Sequence, residues 1–326
     1  MMKVLIGYDG SQSADAALVD LQRAGLPKEA EALIVSVADV MMVPDTSAYE
    51  LAAEALTSRR AAAGLVYAQR QSERVLLEAK DFVSRARDQI RSYFPHWSVR
   101  AETLTGSAAF ALISKANEWK PDLVVVGSHG RSAVSRFILG SVSKKVDTDS
   151  HHSIRVSRGN VERDVNEPPK VVIGVNGSTE AEQAIRTVGS RVWPHGTEVR
   201  IITVDESVSP RGIAHMLPLP AKIIGSSNEG SFTKAKQMAE WAAEELAVIG
   251  LKVSVVHEQG DPRRVLIEQA KAWEADSIFV GGRRFSSAFE RLQLGSVATA
   301  LVTKAHCSVE AARNKAINEV LIGGEH

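Results

Sequence analysis

The chain has 326 residues, 44% of them hydrophobic and 24% charged, which suits a soluble globular protein of about two domains. Lys+Arg and Asp+Glu both number 39, so the formal net charge is zero; that argues against a nucleic-acid binder or a polybasic membrane anchor. A single cysteine, Cys307, excludes an internal disulfide and favours a reducing, cytoplasmic setting. No apolar run reaches the ~20 residues of a membrane helix, and the start of the chain lacks the apolar length of a signal peptide.

The first predicted element is a buried strand, Val4–Tyr8, inside KVLIGYDGS at 3–11. A helix follows over Ala14–Ala24, then a second strand, Leu33–Ala38. Residues 68–93 form a long amphipathic helix stopped by Pro95. Val99–Leu104 is a third strand, and Ser107 is a candidate cap for a helix to Trp119. The run Leu123–Val126 suits a strand buried on both faces. Gly140-Ser141 opens another helix, and Ser153–Val156 is a weak fifth strand. Strands alternating with helices imply parallel βαβ units with right-handed crossovers.

The order then repeats. KVVIGVNGS at 170–178 matches residues 3–11, GDPRRVLIEQAKAWEADSIFVG at 260–281 matches 106–127, and LGSVATAL at 294–301 matches 139–146. The chain is a tandem duplication. The expected division is 1–160, a polar linker 161–169, a second domain 170–313 and a tail 314–326. Residues 39–67 and 205–229 exceed normal connections and read as lids or disordered loops.

Ligands of open α/β sheets bind beyond the carboxyl ends of the strands. There the first half brings Asp9, Asp39 and its neighbours, and the loop Gly127-Ser128-His129-Gly130-Arg131. The helix start Gly140-Ser141-Val142-Ser143 offers unpaired N–H groups and hydroxyls to an anion. His129 and Arg131 add donors or charge. Such a loop and helix start suit nucleotide phosphates.

The segment GSHGRSAVSRFILGSVSKKV at 127–146 resembles the signature of the universal stress proteins: Gly, two residues, Gly, nine residues, then Gly with Ser or Thr. Gly127, Gly130, Gly140 and Ser141 occupy its positions, and VLIGYDGS places Asp9 at the family's acidic position. The resemblance implies two tandem adenine-nucleotide α-hydrolase-like, Rossmann-like domains, each a five-stranded, mostly parallel sheet flanked by helices. Family members often pair through the fifth strand, so a tandem chain resembles a covalent dimer; homodimers of tandem chains stay open. It also implies ATP, or ADP or AMP, as ligand. Gly7 and Asp9 would line the adenosine end, and Val37 would offer backbone bonds to adenine. Gly127, Ser128, His129, Gly130 and Arg131 would wrap the ribose and phosphates. Gly140, Ser141, Val142 and Ser143 would hold the phosphate tail. Mg²⁺ is compatible with ATP, but no carboxylate cage is visible.

The second half departs from this pattern. Asn176 replaces the acidic residue, and Phe285 or Arg284, depending on the glycine used as anchor, stands where the second glycine belongs. A degenerate, structural second half is expected, with an altered ligand site as the alternative. The leading function is a nucleotide-binding, stress-response regulator with an unidentified protein partner. A slow ATPase or nucleotide-dependent enzyme is a second reading, although GxxxxGK[ST], SGGxDS and GxSxG motifs are missing. An interaction protein needing no nucleotide is the third. No catalytic or metal residues are assigned. Adjacent His151 and His152 would point to opposite faces of a solvated edge, and Cys307 would be a buried small hydrophobe.

Overall fold

In the computed structural model, residues 1–40, 59–129, 152–158, 164, 166–206, 222–282 and 295–313 are described. The first half runs β1 (Met2–Gly7), α1 (Gln12–Asp20) with a 3₁₀ turn (Leu21–Arg23), β2 (Ala30–Ala38), α2 (Arg59–Tyr93), β3 (Ser98–Thr105), α3 (Ala108–Trp119), β4 (Leu123–Gly127) and β5 (Ser153–Ser157). The second runs β6 (Lys170–Val175), α4 (Thr179–Gly189), β7 (Glu198–Asp205), α5 (Lys222–Val248), β8 (Lys252–Gln259), α6 (Pro262–Ala272), β9 (Ser277–Gly281), α7 (Ser296–Lys304) and β10 (Ser308–Ala312).

These strands form one ten-stranded sheet in the order β3-β2-β1-β4-β5-β10-β9-β6-β7-β8. Every pairing is parallel except the central one, where β5 and β10 run antiparallel with Arg155 opposite Glu310. The halves therefore join through their fifth strands. Alternation explains the layering. Leu5, Val124 and Val126 point to a core that continues across the seam to Val280, Leu301 and Val309. Val4, Ile6, Leu123 and Val125 point to the other face, into a core confined to the first half. Val171, Ile173 and Phe279 build its counterpart in the second.

Equivalent local devices recur in both halves. Ser11 and Ser178 cap α1 and α4 by accepting the N–H of Ala14 and Ala181. Asp122 and Asp276 each accept an N–H near the start of their half's first strand, from Lys3 and Lys170, at 2.7 Å. Ser107 sits at the cap of α3 as expected, without a side-chain capping bond.

Three expectations need correction. Part of each long connection is helical, because α2 already begins at Arg59 and α5 at Lys222. The fifth strand is not weak in its setting: all five residues are buried at the middle of the sheet. For the same reason His152 is buried rather than part of a solvated edge, and its carbonyl accepts Arg313 Nη1 at 2.8 Å. His151 lies outside the described residues.

Cys307 is buried just before β10, and desolvation pushes its thiol up to about 12. The reactive species is the thiolate. At pH 8 the native protein is expected to resist a maleimide for hours and to label fully in denaturant. Rapid labelling of native protein would contradict the burial at this seam.

Candidate functional site

The chain builds β1, β2 and β3 toward one edge, then returns to place β4 on the other side of β1. β1 is followed by β2 on one side and β4 by β5 on the other, so the strand order reverses between β1 and β4, and the crevice that such sheets use for ligands lies beyond the carboxyl ends of these two strands. Asp9 follows β1, and Ser128-His129 follow β4. On the other side of β1, the last β1–β2 rung pairs Gly7 with Val35, whose carbonyl accepts the Tyr8 N–H at 2.9 Å. Val37 is two residues further on, so alternation turns its backbone groups to that same side, beyond the end of β1. Gly7, Asp9, Val37 and Gly127-Ser128-His129 thus share one end of the sheet. Gly130, Arg131, Gly140, Ser141, Val142 and Ser143 lie outside the described residues.

A hydroxyl chain ties the two sides of the crevice. Ser11 Oγ donates to the His129 carbonyl at 3.4 Å, and the His129 N–H donates to Ser13 Oγ at 3.0 Å. Ser13 Oγ is 3.3 Å from Ser128 Oγ, which is 2.7 Å from His129 Nδ1. Ser128 is buried and its hydroxyl engaged internally. Burial, and secondarily the charge of Arg158, lowers the His129 pKa and so favours the neutral imidazole. Its Nε2 is buried with no hydrogen-bond partner among the described residues. Asp9 shapes the opposite wall: its Oδ1 accepts the Ser11 N–H at 3.0 Å, and Gly10 turns at φ +74. Tyr8 donates to Asp15, and burial together with that acceptor holds its phenol well above the ordinary range.

Sequence reasoning missed Ser13, although two serines spaced one apart just after Asp9 were a readable signal. It also gave Gly127 a ligand role without seeing a packing one. A Cβ on Gly127 would lie 2.8 Å from the Ser13 carbonyl oxygen, so glycine lets α1 start against the end of β4. Gly281, its counterpart, meets the Glu180 backbone at 2.4 Å by the same test. Gly7 and Gly174 are likewise matched, against Leu112 and Leu266 at 3.0 Å.

The second half keeps the packing glycines and loses the hydroxyl chain. Glu180 and Gly282 stand where Ser13 and Ser128 stand in the first half. The Ser178 hydroxyl folds back onto Asn176 Oδ1 at 2.7 Å. Arg284 and Phe285 lie outside the described residues. Among the described residues no cluster of His, Cys, Asp and Glu could hold a metal ion, and no helix is long and apolar enough to cross a membrane.

Two tandem copies of one strand order, each with the same switch point, define a duplicated Rossmann-like protein. The profile of the universal stress protein family matches residues 1–156 and again residues 168–313, and the chain belongs to that family. It is similar to a universal stress protein of Mycobacterium tuberculosis, 23% identical over 313 residues, covering 95% of this chain and 94% of that one. A Coxiella burnetii universal stress protein A homolog is 34% identical over 95 residues; the match covers 29% of this chain and 62% of that relative's length. The crystal structure of a universal stress protein from Archaeoglobus fulgidus has the same fold, with a TM-score of 0.60 at 17% identity, covering 95% of this chain and 98% of that one.

The packing role of the glycines is testable in both halves. Gly127→Ala and Gly281→Ala are each expected to lower stability by about 1–3 kcal/mol in denaturant titrations, since the clash is with backbone. An unchanged midpoint for either would contradict the close approach of α1 or α4.

Proposed function

We propose that the first half binds an adenine nucleotide and that the chain acts as a nucleotide-dependent regulator in the stress response. The observation that carries this reading is the Ser11–Ser13–Ser128–His129 chain, which draws the two walls of the crevice together in the first half only. Family membership, the sequence spacing of the glycines and a His129 Nε2 with no partner among the described residues support it. In this reading Val37 supplies backbone bonds to the base, and Gly7 and Asp9 line the adenosine. Gly127, Ser128, His129, Gly130 and Arg131 surround the ribose and phosphates. Gly140, Ser141, Val142 and Ser143 hold the phosphate tail through the N–H groups and hydroxyls of the helix start that their sequence predicts. Gly127 and Ser128 serve through backbone shape, since one is needed for packing and the other's hydroxyl is engaged. The second half is structural.

Calorimetric titration of nucleotide-free protein with ATP, ADP and AMP checks this. The expected result is one equivalent per chain, weakened about tenfold or more by Asp9→Ala, a loss of about 1.4 kcal/mol, and unaffected by Asn176→Ala. No binding of any of the three, or a response to Asn176→Ala alone, would refute it.

A further inference from the structure

The seam between the halves has twofold symmetry in its backbone contacts and breaks it in its charges. Ser153 and Ser308 open the fifth strands, and Arg158 and Arg313 follow them. The Arg158 N–H donates to Ser308 Oγ, and the Arg313 N–H donates to Ser153 Oγ, each at 2.9 Å. The arginine side chains also reach across: Arg158 donates to the carbonyls of Ala305 and Thr303, at the end of α7, and Arg313 to that of His152. These contacts would suit two identical halves equally well.

The middle residue of each strand would not. Arg155 on β5 faces Glu310 on β10, and both side chains have zero solvent exposure. Arg155 gives Nε and Nη2 to Asp20 of its own half, at 2.7 and 2.9 Å, and Nη1 to Glu310 at 3.3 Å. Glu310 takes its second donor from Arg191 of its own half. The Phe279 ring lies beneath both guanidinium groups. In a pair of identical halves, the residue on the axis meets its own copy. Two copies of the first half would bring Arg155 Nη1 groups together with no acceptor between them. Two copies of the second would set Glu310 carboxylates face to face with no shared donor. Either outcome sets like charges against each other and leaves a buried donor or acceptor without its partner, which proteins avoid.

We propose that Arg155 and Glu310, backed by Asp20 and Arg191, form a pairing code: the fifth strand of each half accepts the other half and rejects a copy of itself. The occupant of the β5 edge is therefore the second half, not another chain's first half. A buried ion pair is a weak source of net stability but an effective source of specificity, because the wrong partner leaves it unmatched. The code operates whatever ligand the first half holds.

Two full-length variants test it. Glu310→Arg leaves the first half intact but gives the chain like charges at its own seam. Arg155→Glu leaves the second half intact and does the same with the opposite sign. Each alone is expected to melt well below wild type and below Glu310→Gln, at a mass no greater than wild type's. Mixed at equal concentration, the intact first half of one chain can meet the intact second half of the other. A species of doubled mass by light scattering is expected in the mixture only. If either variant fails to fold alone, the two are refolded together, and recovery of soluble two-chain complex only in the joint refolding is the supporting result. The proposal is overturned if both variants melt like Glu310→Gln, if either alone doubles its mass, or if neither mixing nor joint refolding yields the complex.

Discussion

Everything else in the molecule is arranged around the antiparallel contact of β5 with β10. Each half has a sheet that would otherwise end in an exposed strand, with a row of unpaired backbone groups inviting association. Joining the two fifth strands removes both edges and places two fully buried strands at the centre. It also makes one of the three hydrophobic cores common to both halves. The price is a buried charge cluster. Burial works against the positive charge of Arg155, but Asp20 and Glu310 outweigh it and hold its pKa above the ordinary range. For Arg191 burial prevails, and its pKa is lowered despite Glu310. Removing one member of such a cluster typically costs about 3–5 kcal/mol, since its partner is left buried and unpaired.

Further contacts of the same kind close the junction around that centre. Arg23 of the first half makes two bonds to Asp276 of the second, and its Nη1 donates to the carbonyls of Asp164 and Glu167 in the intervening segment. Arg191 donates to the Ala24 carbonyl, and Trp193 covers Gly25, which turns at φ +63 with no room for a Cβ. Duplication made these differences possible. Once two copies share a chain, each position can diverge on one side of the axis alone. The charges at the seam, and the hydroxyls of Ser13 and Ser128 where the second half has Glu180 and Gly282, show the same freedom.

The architecture was largely legible in the sequence because it rests on local signals. The repeat, the apolar runs of β1, β4 and β6 and the helix periodicities placed nearly every described element. What escaped depends on neighbours that are distant along the chain. Arg155 and Glu310 gain their partners only when β5 and β10 meet, and His152 reads as solvated because its burial comes from the same contact. Ser13 gains its role only when α1 packs on β4, 115 residues away by the Ser13–Ser128 contact. Gly127 fits a sequence motif and also meets a packing constraint at Ser13, and its twin Gly281 keeps that packing constraint where the motif decays.

The central position of the fifth strands is most directly tested by native-state hydrogen exchange. Amides of Ile154–Val156 and Val309–Ala311 should exchange as slowly as those of Val4–Ile6 and Val171–Ile173, through opening of the whole sheet. Exchange at these six positions as fast as at the outer strands β3 and β8 would mean that the halves part readily, and the account built on their junction would fail.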